Sequence, residues 1–282
     1  MTYTTLVDTE TLAQNLHSHW CLFDCRFVLA DPTAGERAYG EGHIPGAHYL
    51  HMDRDLAGPM TPATGRHPLP EPEVLAAKLA RDGVNTGAQV VAYDNAVGAF
   101  AARLWWLLRW LGHPQVAVLD GGLEKWIKEG RPVTGKLPDS VPKGDFEARA
   151  DDSLWLSSEA VLERVRTRAG CLLDARAPSR FRGEAEPIDP VAGHVPGAVN
   201  LPYMENVSEN GCLKTPEVLR ERLVRFLAGV PPSEAVCMCG SGVTACHNLL
   251  AMEVAGLRGA KLYAGSWSEW IRDPVRPVIR GE

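Results

Sequence analysis

The sequence has little of what would send a chain to nucleic acid or to a membrane. It has no Lys/Arg run and no basic tail. Its 29 Lys and Arg are outnumbered by 35 Asp and Glu, for a formal net charge of −6, so neither nucleic acid nor an anionic membrane is expected as a partner. No apolar run is long enough to span a bilayer; LWWLLRWL at 104–111 is short and carries Arg109. The opening residues, MTYTTLVDTETLAQNL, lack a basic segment leading into an apolar core, so no signal peptide is expected. Cysteine is sparse and odd in number, seven in 282 residues, with no paired CxxC. A disulfide framework is therefore not expected, and a reducing cytoplasm is the expected location. Nor is a metal site: Cys237 and Cys239 lack a second ligand pair at zinc spacing, and His48 and His51 of HIPGAHYLHMD lack a third ligand.

What is present is ordinary globular composition, 45% hydrophobic and 23% charged, with room for one large or two medium domains. The chain is written twice. CLFDCRF at Cys21 matches CLLDARA at Cys171, 150 residues on, and GHIPGAHYL at Gly42 matches GHVPGAVNL at Gly193, 151 residues on. Further along, EVLAAKLARDGV at Glu73 matches EVLRERLVRFLAGV at Glu217, 144 residues on, and Trp126 falls on Trp270 at the same offset. The drop in offset places extra residues in the first half, around GPMTPATGRHPLP at 58–70. No chemical role is evident for that stretch.

Each half alternates short apolar runs with helical patterns. CLLDA, QVVAYD, VAVLD, AVCMC and AKLYA have strand length, and helices are expected over 73–81, 100–111 and 216–227, the last opened by Pro216 after Thr215. Buried strands alternating with helices give an α/β fold whose sheets are mostly parallel and flanked by helices. The expected boundaries are a first domain at 1–135, a Pro-, Gly- and charge-rich linker at 136–154, and a second domain at 155–282.

One stretch calls for chemistry: VCMCGSGVTACHN, where Cys239 ends an apolar run and opens a Gly-Ser-Gly turn into a helical pattern. Sites in open parallel sheets form beyond the carboxyl ends of strands. Two glycines allow successive N–H groups to point inward as a nest, which favours thiolate over thiol. Lowering the pKa of a cysteine from about 8.5 to about 6.5 takes roughly 2.7 kcal/mol. A helix terminus supplies only about 0.3–1 kcal/mol, so direct hydrogen bonds must supply the rest, with Ser241 and Thr244 as candidate donors. Cys21, Cys171, Cys237 and Cys246 read as small core residues. The first half has Asp94-Asn-Ala-Val where the second has Cys239-Gly-Ser-Gly, which implies a single active site.

The GH[IV]PGA block, the DGG and AGS turns before a Trp helix, and the paired α/β halves together resemble the tandem-domain sulfurtransferases of the rhodanese superfamily, over nearly the whole chain. The loop CGSGVTA, 239–245, is similar to that of the 3-mercaptopyruvate sulfurtransferases. The resemblance implies two tandem rhodanese-like domains, no cofactor, and sulfur moved from 3-mercaptopyruvate through a Cys239 persulfide to a thiol, a thioredoxin-like protein or cyanide. It implies that Ser241 bonds a histidine oriented by an acid. His43 is the expected histidine, preferred over His194, and Asp31 the expected acid. It also implies that Arg180 of DARAPSRFRG grips the donor's carboxylate, beside a loop formed by Gly240, Gly242, Val243 and Thr244. Arg176 and Arg182 read as surface salt-bridge arginines. The second arginine usual before the GHxPG block is missing from GEAEPIDPVAG. Thiosulfate is the alternative donor, but the five residues after Cys239 are uncharged, which suits a carboxylate better than a dianion. A phosphatase of similar fold needs Cys-x5-Arg, and Ala245 stands in the arginine's place.

Overall fold

The computed structural model describes residues 2–16 and 18–281. Contacts divide the chain into two compact units. The first contains Met1–Gly58, Leu69–Asp151 and Ser208–Leu213; the second contains Pro59–Pro68, Asp152–Val207 and Lys214–Glu282.

In the first unit the order is β1 (Leu6–Val7), α1 (Thr9–Asn15), β2 (Cys21–Asp24), α2 (Ala34–Glu41), β3 (His48–Tyr49), α3 (Pro72–Arg81), β4 (Val90–Tyr93), α4 (Ala101–Trp110), β5 (Val116–Leu119) and α5 (Gly122–Lys128). The second unit repeats it: β6 (Trp155–Leu156), α6 (Ser158–Thr167), β7 (Cys171–Asp174), α7 (Pro178–Phe181), β8 (Ala198–Asn200), α8 (Pro216–Leu227), β9 (Ala235–Met238), α9 (Thr244–Val254), β10 (Lys261–Tyr263) and α10 (Ser266–Trp270). The sheets run β1-β5-β4-β2-β3 and β6-β10-β9-β7-β8, and every strand pair is parallel.

The sequence pattern accounts for the arrangement. β4, β5 and β9 are buried along their whole length, as strands covered on both faces must be. The Trp-rich run is α4, buried on nearly every side. One sheet face of each unit carries a compact core, around Trp126 in the first and around Trp267 and Trp270 in the second. Among the described residues no helix is long and apolar enough to cross a membrane.

The repeat is visible in its ion pairs. Asp24 and Arg26, and likewise Asp174 and Arg176, form buried pairs at 2.8 and 2.7 Å. Each arginine also donates to a carbonyl of the GHxPG turn, Gly42 at 2.7 Å and Gly193 at 2.8 Å. Arg176 is thus not a surface arginine. It pins a strand end to a turn, which is how a buried charge becomes tolerable. Arg182 pairs with Glu184 at the surface, as expected.

The boundaries differ from the sequence expectation. Much of the expected linker is strapped to the first unit, with Gly144 N–H on the Ala80 carbonyl, Arg149 N–H on Leu111 and Asp151 N–H on Trp110, while Phe146 is buried. The extra residues of the first repeat pack with the second unit: Arg66 N–H donates to Ser268 Oγ at 3.0 Å, and Arg272 Nε to the Thr64 carbonyl at 3.3 Å.

Candidate functional site

Cys239 stands one residue beyond β9 and is buried, at 2% exposure. α10 shapes the loop that follows. Trp267 N–H takes the Cys239 carbonyl at 3.0 Å, and Ser268 N–H takes the Gly240 carbonyl at 2.8 Å. In a trans peptide the next N–H points opposite to the carbonyl, so the N–H groups of Gly240 and Ser241 are turned away from α10. Gly242 N–H reaches Cys239 Sγ at 3.1 Å. Only glycine fits at 242, because φ is +78° and a Cβ would meet the Ala264 carbonyl oxygen at 2.3 Å. Ser266 anchors the loop from behind: its Oγ accepts from Cys239 N–H at 3.0 Å and donates to the Tyr263 carbonyl at 2.9 Å. Its φ of +51° is strained for a residue with a Cβ. The matching residue of the first repeat is Gly122, at φ +57°.

Ser241 does have a histidine, but it is His67. Ser241 Oγ and His67 Nδ1 lie 2.7 Å apart, both residues buried. Such a pair can hold and pass a proton. Ser241 Oγ thus faces His67, and the backbone N–H that reaches the sulfur is that of Gly242.

His43, the expected partner, is structural. Its Nδ1 bonds the Tyr39 carbonyl at 2.8 Å, its ring stacks on Tyr39 at 4.0 Å, and its backbone pairs with Thr134. His194 repeats this with the Phe181 carbonyl at 2.8 Å, the Phe181 ring at 3.7 Å and Ile279. A device present in both copies closes a turn. Asp31 is likewise not the orienting acid. It is exposed and bound by Arg37 at 2.7 Å and Thr33 at 2.9 Å, and the Arg37 hydrogen bond pulls its pKa down to about 2.

Arg180 stands beside the loop. Its Nη1 and Nη2 lie 3.5 and 3.6 Å from the point where a Gly240 Cβ would stand. A second guanidinium stands there too, Arg66, with Nη2 at 3.1 Å from the same point. Asp189, nearly buried, binds both: Oδ1 accepts from Arg66 Nη1, and Oδ2 from Arg180 Nη2 at 3.0 Å. Glu186 takes Arg180 Nε at 3.0 and 3.1 Å. TGRHPLP thus brings a second arginine to this loop, where GEAEPIDPVAG has none. Val243 and Thr244 lead into α9, Val243 buried and Thr244 half-buried.

In the first unit Asp94 stands in the place of Cys239, fully buried. Its carboxylate accepts from the N–H groups of Ala96 at 2.7 Å, Gly98 at 2.9 Å, Phe100 at 2.7 Å and Ala101 at 2.8 Å. Burial pushes its pKa up, and the four donors act against that.

A thiol at the carboxyl end of a parallel strand, wrapped by a glycine loop beside a Ser–His pair and two guanidinium groups, is equipped for covalent transfer chemistry on an anionic substrate. The family model of the rhodanese-like domain matches residues 8–129 and 157–273, and the chain belongs to that family, with the domain in two tandem copies. It is 49% identical over 280 residues, 98% of both chains, to a probable 3-mercaptopyruvate sulfurtransferase of Pseudomonas aeruginosa. It is 39% identical to the putative thiosulfate sulfurtransferase SseB of Mycobacterium tuberculosis, covering 92% of this chain and 90% of that one. The crystal structure of the Escherichia coli protein SseA, described among 3-mercaptopyruvate sulfotransferases, superposes with a TM-score of 0.80 at 32% identity, over 95% of this chain and all of that one.

Proposed function

We propose that this enzyme is a 3-mercaptopyruvate sulfurtransferase with Cys239 as the sulfur carrier and the first copy catalytically silent. The observation that carries the donor assignment is the charge balance beside Cys239. Two guanidinium groups, Arg66 and Arg180, are met by two carboxylates, Asp189 and Glu186. Arg66 Nη2 and Arg180 Nη1 have no partner among the described residues, so they are available to one carboxylate. The cluster lacks the cation surplus that a thiosulfate dianion and its sulfite product call for.

The Cys239 thiolate attacks the donor sulfur, and the C–S bond breaks with its electron pair moving into the pyruvate enolate. The proton given up when the Cys239 thiol ionises is held by the Ser241–His67 pair and passed to the enolate carbon, giving pyruvate and leaving Cys239 as a persulfide. An acceptor thiolate then attacks the outer sulfur and restores Cys239. A small thiol, a thioredoxin-like protein or cyanide serves this step equally well chemically. A reducing compartment such as the cytoplasm suits the seven free cysteines.

Relative kcat/KM for 3-mercaptopyruvate and thiosulfate tests the donor assignment, and a clear thiosulfate preference overturns it. Asp189→Asn removes one negative charge from the cluster. It should raise the thiosulfate-to-mercaptopyruvate ratio of kcat/KM by about tenfold, roughly 1.4 kcal/mol. An unchanged ratio would mean that these charges do not face the donor. His67→Ala should lower kcat about 10²–10³-fold with little change in KM. A steady-state comparison with His43→Ala, which should lose stability rather than proton transfer, separates the two histidines.

A further inference from the structure

The second unit has a cavity of about 640 Å³ at the end of its sheet opposite Cys239. It reaches Cys171, the first residue of β7, and Val236, near the start of β9, whereas Cys239 follows the carboxyl end of β9. Its volume is that of a small-molecule site.

The internal repeat shows why the cavity exists. Cys21 matches Cys171, so Trp20 matches Gly170. α1 and α6 begin 149 residues apart, at Thr9 and Ser158, which places Leu12 on Val161 and Tyr3 on Asp152. In the first unit Trp20 packs on the core that holds Leu12, Leu22 and Val91. Tyr3 meets it edge-on with ring centroids 5.7 Å apart. In the second unit the counterparts of those three core residues, Val161, Leu172 and Val236, line the cavity instead. Neither aromatic ring is present to cover them, since glycine and aspartate stand in their places.

The rim is cationic. Arg166 and Arg168 line the cavity, and neither side chain has a hydrogen-bond or ion-pair partner among the described residues. Arg164 beside them is held by Glu234 at 3.3 Å. Two unpaired guanidinium groups over an apolar floor, in a chain of net charge −6, call for an anion with an apolar body. The Cys171 thiol is turned to the Phe226 carbonyl at 3.6 Å, and burial pushes its pKa up, so the binding is non-covalent.

We infer that this cavity is a second binding site, separate from the sulfur-transfer site, for a small planar aromatic molecule carrying one carboxylate. The ring takes the space that Trp20 fills in the first unit, and the carboxylate meets Arg166 and Arg168.

Indole-3-carboxylate is the probe, with neutral indole as its control, titrated into the full chain and followed by backbone amide NMR. The expected result is saturable binding tighter than about 1 mM, with shifts at Gly170 and Gly197 and weaker binding of indole. The double variant Arg166→Glu/Arg168→Glu should weaken the carboxylate by about tenfold or more and leave indole unchanged. Val165→Phe, which fills the cavity, should weaken both. Sulfur transfer should be unaffected in either variant. Shifts confined to the Cys239 loop, or binding that neither variant alters, would overturn the assignment, as would no binding at all.

Discussion

Cys239→Ser should reduce sulfur transfer by at least about 10³-fold while the fold stays intact. A serine oxygen accepts the Gly242 N–H that now meets Sγ at 3.1 Å, so the loop keeps its main tether. The bonds that shape it, from Ser266, Trp267 and Ser268, use only backbone atoms of 239 and 240 and do not depend on the side chain. What is lost is the nucleophile, because a hydroxyl is not ionised near neutrality and forms no stable bond to the transferred sulfur. Pyruvate release from 3-mercaptopyruvate should fall to background. Mass spectrometry of the native protein exposed to donor should find one added sulfur on the peptide containing Cys239. That peptide also contains Cys237 and Cys246, so fragment ions are needed. Cys237 is fully buried, with its pKa pushed far up by that burial, and Cys246 is equally buried, its Sγ 3.3 Å from the Gly242 carbonyl. Added sulfur on either one, or turnover that survives in Cys239→Ser, would sink the proposal.

The fold was legible because the repeat states it twice. Helix α8 begins and ends where Pro216 and the apolar spacing place it, and α3 and α4 match their expected spans to within a residue at each end. Cys239 was legible because core packing alone does not call for a Gly-Ser-Gly turn directly after a strand-ending cysteine. Its histidine was not. Which of nine histidines meets Ser241 is a matter of tertiary contact, and His67 lies in the stretch that has no counterpart in the second half. The repeat carried a warning against His43, since a turn histidine present in both copies suits a structural duty, whereas proton transfer is needed once. The change in offset between the GHxPG block and the next was itself a signal: extra residues in one copy, TGRHPLP, supply both His67 and Arg66. Asp31 lies close to His43 in sequence, but in the fold Arg37 takes it.

Asp94→Ala should cost the first unit about 3–5 kcal/mol, far more than an ordinary truncation. The reason lies in how the two loops correspond. At the offset that carries Asp94 onto Cys239, Val97 falls on Gly242, and both have left-handed backbone, φ +55° and +78°. For a β-branched residue that conformation is strained, and it persists because the loop closes on the Asp94 carboxylate. Four N–H groups converge on its two oxygens at 2.7–2.9 Å. Removing the carboxylate leaves those donors facing a buried void and leaves the strain at Val97 without compensation. Asp94→Asn keeps the shape but has one acceptor oxygen and an NH2 that faces donors, so its loss should be intermediate. Denaturant unfolding of the three proteins, with m-values compared to confirm a common transition, gives the ranking. A loss below about 1 kcal/mol for the alanine variant would mean that water replaces the carboxylate at little cost. The inward-facing N–H groups of this loop would then hold an anion only weakly.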